Sequence, residues 1–592
     1  MRAHGLGLAL ALALAAIVSP ACAAVERPSA YLPITPDAKA QARTIVLTGH
    51  DLTIEDVMAV ARDGAKVRFA PEAIAEAEAK AGLQAEGNAE GLSIYGVNRG
   101  GGALREQHVV ATQELGNLRG ARSSARLGAL PEIDDEALVR AFLLIQANHI
   151  PYGVANGDYM TLLTELLNRR VTPVMYSRGT LGEGDLFLTS NFHATMVGRG
   201  DAYFNGRRMT AAQALAAAGL KPLTSSTGGG TTNAYGSALA AFLVSDGREA
   251  LEWADLTLGL DLEALNSSIT PLVLPVQQRR PFPWVNWEAA KMLEMIKGSY
   301  LFQKDDKRIL QDPESLRASY SRTGSAWQAW AGLRDAVTVQ INSGEQNPVY
   351  ILDLPPDSSW AMSTPWLEKY HVKGGPLSHG RSGYILSSAN WDPYPMTNEV
   401  ESFNLALANL GSAVAQRLER FSDRTPTPFF TGIKPADVLT PEQKANSPAL
   451  SEAYFTFADL WKEMETLTQS VSPDSGGEDA GVADLEANTR LKATRGRQAV
   501  DLLMQMLAYD MVTSTYWLDV RKIQDPGRDF GGPTTAAWSA LRKDLPWQQK
   551  EDERIDLPYG VIAYRFMLAN PARTFFPSPP PMPATPALPT AK

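Results

Sequence analysis

Apolar side chains recur at steps of three and four over long windows of the chain. Phe403, Leu407, Leu410, Val414, Leu418 and Phe421 form one stripe, and Val500, Leu503, Met504, Leu507 and Met511 form another. That spacing puts each set on one face of a helix, the face a helix turns toward a core. Shorter helical patterns run over residues 138–147 and 160–167. Alternation of period two is scarce; short strands are expected only near residues 44–47 and 93–97. Strands and helices do not alternate regularly, and no tandem repeat is evident. The pattern predicts a mainly α fold, with a bundle of long helices over about residues 211–530. A smaller N-terminal region with some strands is expected over 24–210, and a C-terminal segment over 531–576.

The two ends read differently from the middle. One Arg and one His precede an uncharged run from Gly5 to Val18, followed by the small residues Ala21, Cys22, Ala23 and Ala24. This is the order of a secretory signal peptide, with cleavage expected after Ala23. The run is too short to span a bilayer comfortably. The expected form is an exported soluble protein, periplasmic or secreted. A lipoprotein acylated at Cys22 ranks second, because Ser19 stands where a large aliphatic residue is usual. At the other end, residues 577–592 hold seven prolines in sixteen positions, which predicts an extended, disordered tail.

Composition narrows the chemistry. The 592 residues are 44% hydrophobic and 20% charged, with Lys+Arg 55 against Asp+Glu 65 and a net charge of −10. A globular core is affordable at that length, and a basic nucleic-acid surface is not indicated. Cys22 is the one cysteine, so the mature chain has no thiol catalyst, disulfide or cysteine metal site. The histidines at 4, 50, 108, 149, 193, 371 and 379 are not paired at metal-ligand spacing, and no metal is expected. There is no G-x-S-x-G elbow, Walker loop or H-E-x-x-H. The run Ser226-Thr227-Gly228-Gly229-Gly230-Thr231-Thr232-Asn233 could cradle an anion, but reads more simply as a turn.

Several ordered segments together resemble the histidine/phenylalanine ammonia-lyase family. The likeness begins at Leu47-Thr48-Gly49-His50-Asp51-Leu52-Thr53 and runs to about Arg521. Ile94-Tyr95-Gly96-Val97-Asn98-Arg99-Gly100-Gly101-Gly102 is similar to the tyrosine loop YGVNTGFG, and Gly179-Thr180-Leu181-Gly182-Glu183-Gly184-Asp185-Leu186 stands in place of GSxGASGDL. Gln311-Asp312-Pro313-Glu314-Ser315-Leu316-Arg317 is close to QDPYSLR. Asn347-Pro348, Asn390 and Leu405-Ala406-Leu407-Ala408 follow in order, and Gly477-Glu478-Asp479 lies where QED is usual.

The resemblance implies a mostly helical homotetramer in which three subunits assemble each active site. In the family an Ala-Ser-Gly triplet cyclises to the electrophile methylidene-imidazolone (MIO). A tyrosine acts as base, an arginine holds the substrate carboxylate, and the QED glutamate lies near the amine. The products are ammonia and a conjugated acrylate. Carried over by motif, the catalytic residues here are Tyr95 and Glu478. The substrate-binding set is Arg317, Glu314, Gln311, Tyr235, Asn233 and Asn347.

The departures from the family pattern carry the mechanism. Between Gly182 and Asp185 stand only Glu183 and Gly184, so one residue is missing and there is no serine to dehydrate. Gly182, Glu183 and Gly184 therefore form a degenerate loop, and the MIO group is expected to be absent. The asparagine of LxNGTQ aligns with Tyr235, with Asn233 nearby as an alternative, and Glu314 replaces a tyrosine. Arg317 offers a planar fork for a carboxylate. A tyrosine titrates near pH 10 when unperturbed, so Tyr95 needs a nearby donor or cation to act as base. Glu183 and Glu314 would place negative charge where the electrophile is missing, which suits a cationic substrate.

Elimination without an electrophile requires an acidified β-proton or a better leaving group, as in a betaine of an imidazole amino acid. In mechanism the pattern resembles ergothionase, a family relative that releases trimethylamine from ergothioneine without MIO. The reading is an exported, MIO-independent C–N lyase acting on an aromatic or imidazole amino acid or betaine. An aminomutase, or addition of a nucleophile to an acrylate, would use the same scaffold. The alternative is a catalytically degenerate protein that binds a small carboxylate or serves structurally.

Overall fold

The computed structural model describes residues 31–108, 127–224, 232–422, 433–447, 453–549 and 555–584. The proposed signal peptide with Cys22, most of the glycine-rich run before Thr232, and the last eight residues of the chain lie outside the described residues.

The N-terminal third holds short elements around paired strands. Strand β1 (Thr44–Leu47) pairs in parallel with β2 (Lys66–Phe69), Thr44 opposite Lys66. Helix α1 (Ile54–Ala61) crosses between them. Its start is fixed by Thr53, whose hydroxyl accepts from the Asp56 amide while the Asp56 carboxylate accepts from the Thr53 amide. Helix α2 (Pro71–Ala89) opens on proline, whose missing N–H costs nothing at that position. Strand β3 (Ala129–Glu132) leads into α3 (Glu136–His149), which is buried along its whole length. Helix α4 (Gly157–Arg169) follows, capped by the Asn156 side chain and closed by Arg170 in the left-handed region at φ 56°.

Strand β4 (Val171–Pro173) pairs antiparallel with β6 (Asp201–Phe204), and β6 with β7 (Arg207–Thr210). Strand β5 (Tyr176–Arg178) pairs with β3 and feeds the 180–185 loop, which enters α5 (Leu186–Met196). A separate sheet of β8 (Val349–Leu352), β9 (His371–Val372) and β10 (Gly383–Leu386) has β10 at its centre. The strand expected at 93–97 is a turn instead. Gly96 sits at φ 70°, and the Asn98 side chain accepts from the Ile94 amide at 2.8 Å, closing the chain on itself.

The remaining mass is the expected bundle. Its axis is α6 (Ala234–Ala264), packed by α7 (Pro283–Met295), α8 (Ser319–Gln340), α9 (Tyr394–Ser422), α10 (Tyr454–Leu467) and α11 (Thr489–Gln524). The predicted α9 stripe from Phe403 to Phe421 is buried, as are Val500, Leu503, Met504, Leu507 and Met511 on α11. Helices α12 (Gly532–Asp544) and α13 (Tyr559–Ala569) close the bundle. The main apolar core runs from Ile45 to Ala572, and a smaller one gathers Leu83, Ile94, Tyr350, Val372 and Ile385. The proline-rich segment is anchored at its start, because the Trp287 indole donates to the Pro580 carbonyl at 3.1 Å. Among the described residues no helix is long and apolar enough to cross a membrane.

Candidate active site

The 180–185 loop is held between the N-termini of the two longest helices. The Leu181 carbonyl accepts from the Ala487 and Asn488 amides at 3.1 and 2.7 Å, at the entry to α11. Gly182 and Gly184 both sit at φ 88°, and a Cβ on Gly182 would lie 2.8 Å from that of Ala487. Glycine is therefore required at 182 by both conformation and space. On the other side the Asp185 carboxylate accepts from the Tyr235 and Gly236 amides at 2.7 and 3.3 Å, capping α6. The Thr180 hydroxyl donates to the other Asp185 oxygen at 2.5 Å. Burial holds the Asp185 carboxyl up at about 6.

Glu183 stands between these anchors. Burial first, and then the fields of Glu486, Glu478, Asp392 and Asp484, raise its carboxyl to about 7. One of its oxygens is shielded from solvent without a hydrogen-bond partner. Loop 180–185 thus projects a carboxylate into an acidic neighbourhood, and near pH 7 that carboxylate exchanges its proton.

The tyrosine loop meets this neighbourhood through one turn. The Tyr95 hydroxyl accepts from the Gly102 amide at 3.0 Å, and Asp479 accepts from the Ala103 amide at 3.0 Å. Gly102 sits at φ 53°, and a Cβ there would collide with the Asp479 carboxylate. The Gly102 N–H is a donor of the kind a tyrosine base requires. Glu478, next to Asp479, is exposed, and its carboxylate accepts from the Gly477 amide at 2.8 Å, which holds it below the usual range.

Of the two residues that could supply the LxNGTQ asparagine, Asn233 meets the loop with its side chain. Its Oδ1 accepts from the Gly184 amide at 2.8 Å, and its Nδ2 donates to the Trp391 carbonyl at 2.5 Å. Tyr235 contributes its backbone amide to Asp185, while its ring is 3% exposed and lies in the core. Asn347 stands behind the site: its Oδ1 accepts from the Ser388 amide at 3.1 Å and shapes the turn that carries Trp391 and Asp392.

Arg317, Gln311 and Glu314 form a second group. The Gln311 amide oxygen faces the Arg317 guanidinium at 2.6 and 2.9 Å, and Glu314, largely exposed, pairs with it at 3.5 Å. Arg317 lines a cavity of about 520 Å³ together with Arg280, Tyr320, Ser321, Arg322 and Ser325. Among the described residues this group shares no hydrogen bond or ion pair with Tyr95, Glu183 or Glu478 inside one chain. Within one chain, among the described residues, Glu314 pairs with Arg317 and not with Glu183.

Residues that sequence reading missed lie beside the loop. Glu345 is 1% exposed, and its Oε2 accepts from the Asn233 amide at 2.5 Å. Asp392, Asp484 and Glu486 complete the acidic side. Asp392 and Glu345 flank matched motifs, but only the fold shows that they face the loop. No group of side chains among the described residues could hold a metal ion.

A long helical bundle with a tyrosine loop and a glycine-bounded loop at its helix N-termini defines a carbon–nitrogen lyase scaffold. The sequence profile of the family described as aromatic amino acid lyase matches residues 52–543, and the chain belongs to that family. It is 28% identical over 520 residues to histidine ammonia-lyase of Stigmatella aurantiaca, covering 86% of this chain and 93% of that one. Histidine ammonia-lyase of Caldanaerobacter subterraneus is 26% identical, covering 81% and 89%. Among solved structures, the ergothioneine-degrading ergothionase of Treponema denticola, in complex with desmethyl-ergothioneine sulfonic acid, superposes with a TM-score of 0.74. That pair is 25% identical, over 89% of this chain and 99% of the other. Histidine ammonia-lyase of Trypanosoma cruzi shares the fold, with a TM-score of 0.74 at 19% identity, over 93% and 100%.

Proposed function

We propose that the protein is a MIO-independent C–N lyase whose substrate is an aromatic or imidazole amino acid, or its betaine, with a cationic amine as leaving group. The observation that carries this reading is Glu183. An MIO group is built from Ala-Ser-Gly, and residues 180–185 read Thr-Leu-Gly-Glu-Gly-Asp. The one hydroxyl in that loop, Thr180, is committed to Asp185. These residues do not fit the group, and the position offers a carboxylate among carboxylates instead of an electrophile.

Such a site favours a positive charge on the amine. Tyr95, supported by the Gly102 amide, takes the β-proton; the Cβ–H electron pair becomes the new C=C bond. The C–N bond breaks with its pair going to nitrogen, and a neutral amine leaves. A quaternary ammonium departs this way without needing further activation, whereas a primary amine leaves poorly. Arg317 holds the carboxylate, contributed from another copy of the chain in a homotetramer. Ergothionase, with its bound ergothioneine derivative, is the relative whose chemistry supports this reading best. Export after cleavage near Ala23 is part of the same proposal, supported by the N-terminal residue order.

The test is an ultraviolet time course of the purified protein with phenylalanine, tyrosine, histidine and ergothioneine. A conjugated-acrylate band appearing with ergothioneine, and lost in Tyr95→Phe, is the expected result. Release of free ammonia from phenylalanine or histidine would overturn the preference for a quaternary ammonium as leaving group. Binding of the panel without turnover would instead favour a carboxylate-binding protein.

A further inference from the structure

Glu183 is flanked by glycines at φ 88° on both sides, so its orientation depends on how the two glycine peptides are held. The Gly182 side is held by the amides of Ala487 and Asn488. On the Gly184 side the amide donates to Asn233 Oδ1 at 2.8 Å. Asn233 is itself fully committed. Its Nδ2 donates to the Trp391 carbonyl, which forces Oδ1 toward Gly184, and its backbone N–H donates to Glu345 Oε2. The other Glu345 oxygen accepts from the Gln340 amide on α8.

We propose that Glu345 is a positioning residue: from behind the loop it fixes Asn233, Asn233 fixes the Gly184 peptide, and the direction of the Glu183 carboxylate follows. The effect on turnover rests on the lyase reading; the effect on the loop does not. A buried acid is otherwise hard to account for at this point. Asn233 precedes α6, whose first amides have no partner within the helix. Asp185 takes those of Tyr235 and Gly236, and Glu345 takes that of Asn233. Two carboxyl groups therefore share one helix N-terminus, on either side of the asparagine that grips the loop. The charged or titratable groups facing Glu345 are Asp185, which its field raises, and His149, whose Nδ1 lies 3.6 Å from Oε2 without a hydrogen bond. Burial holds Glu345 up at about 7 and His149 down at about 4, so neither is a permanent ion at neutral pH. The carboxyl accepts from Asn233 and from Gln340; glutamine keeps an oxygen for Asn233, and its amide nitrogen can donate to Gln340 once that side-chain amide turns its oxygen inward.

Hydrogen exchange by mass spectrometry on the full-length protein tests the relay. Glu345→Ala is expected to speed exchange of the peptide spanning 181–186 by about tenfold, the size of one lost hydrogen bond. A peptide from the buried middle of α11 serves as control and should not change, and Glu345→Gln should restore the wild-type rate. In turnover, Glu345→Ala should cost nothing further when Glu183 is already alanine, because it acts only through that side chain. Unchanged exchange at 181–186 in Glu345→Ala would overturn the proposal, as would additive losses in the double variant. Equal acceleration in the α11 control would also overturn it, by showing that Glu345 serves folding at large. Absence of turnover in the wild type would sink the lyase reading alone, since exchange still decides the relay.

Discussion

Glu183 is the residue at which the departure from the family pattern becomes chemistry. Its ordinary pKa lies near 4.5, and burial together with Glu486, Glu478, Asp392 and Asp484 lifts it to about 7. Below pH 6 it is neutral and offers a cation little; above pH 8 it is ionised. The apparent KM for a cationic substrate should therefore fall as pH rises through 7, by a factor on the order of ten for a partly exposed pair. Glu183→Gln should remove that step and leave KM flat. KM profiles from pH 5.5 to 8.5 for both proteins check this, and a step that survives in the glutamine variant would place the titrating group elsewhere. Tyr95, Glu183, Glu478 and Arg317 stand out as candidates in the sequence because each lies inside a motif with a fixed neighbour pattern. Glu345 does not: it reaches Asn233 across 112 positions of chain, and no local periodicity records such a contact. The same holds for Asp392, which reaches Glu183 through space from beyond β10.

Helices carry the fold, and their legibility followed their surroundings. Helix α9 shows its stripe because one face is wet, whereas α6 is buried on nearly every side and so leaves no amphipathic signal. The small sheets are paired strands of four residues or fewer, too short for alternation to stand out, and 93–97 imitated one of them until Gly96 turned the chain. Deep in the bundle a charged junction ties the helices together. Arg417 on α9 reaches Asp261 on α6 at 2.5 Å, Asp510 on α11 at 2.8 Å and the Ser319 hydroxyl on α8 at 3.0 Å. All three charged residues are buried. Burial first, and then Asp510, push the Asp261 carboxyl far above its ordinary range, against the pull of Arg417. Arg417→Met would strand two acids in the core and should cost about 3–5 kcal/mol. Adding Asp261→Leu and Asp510→Leu should recover most of that, because a packed apolar trio avoids the desolvation cost. Urea denaturation of the single and triple variants measures both; a negligible cost for Arg417→Met would show that the junction carries no charge.

At the scale of the molecule, the candidate residues of one chain fall into two groups with no hydrogen bond or ion pair between them among the described residues. The acidic half gathers Tyr95, Glu183 and Glu478 around the helix N-termini, and the basic half gathers Arg317, Arg280 and Arg322 around the 520 Å³ cavity. A zwitterionic substrate needs both, its amine at the acids and its carboxylate at the arginine fork. Around the basic half, Leu274, Phe282, Phe302 and Leu310 are exposed, Leu310 at 96%. Apolar side chains left open on that stretch are what a covering second copy would bury. If the halves combine between copies, Tyr95→Phe and Arg317→Gln should each be inactive alone and active together. Random co-assembly in equal amounts gives about a quarter of the sites both intact halves, one from each kind of chain. Co-expressed variants separated as mixed oligomers should thus regain roughly that fraction of wild-type turnover. Mixed oligomers as inactive as either parent would mean that Tyr95 and Arg317 act within one chain, and the arginine cavity would then need another occupant.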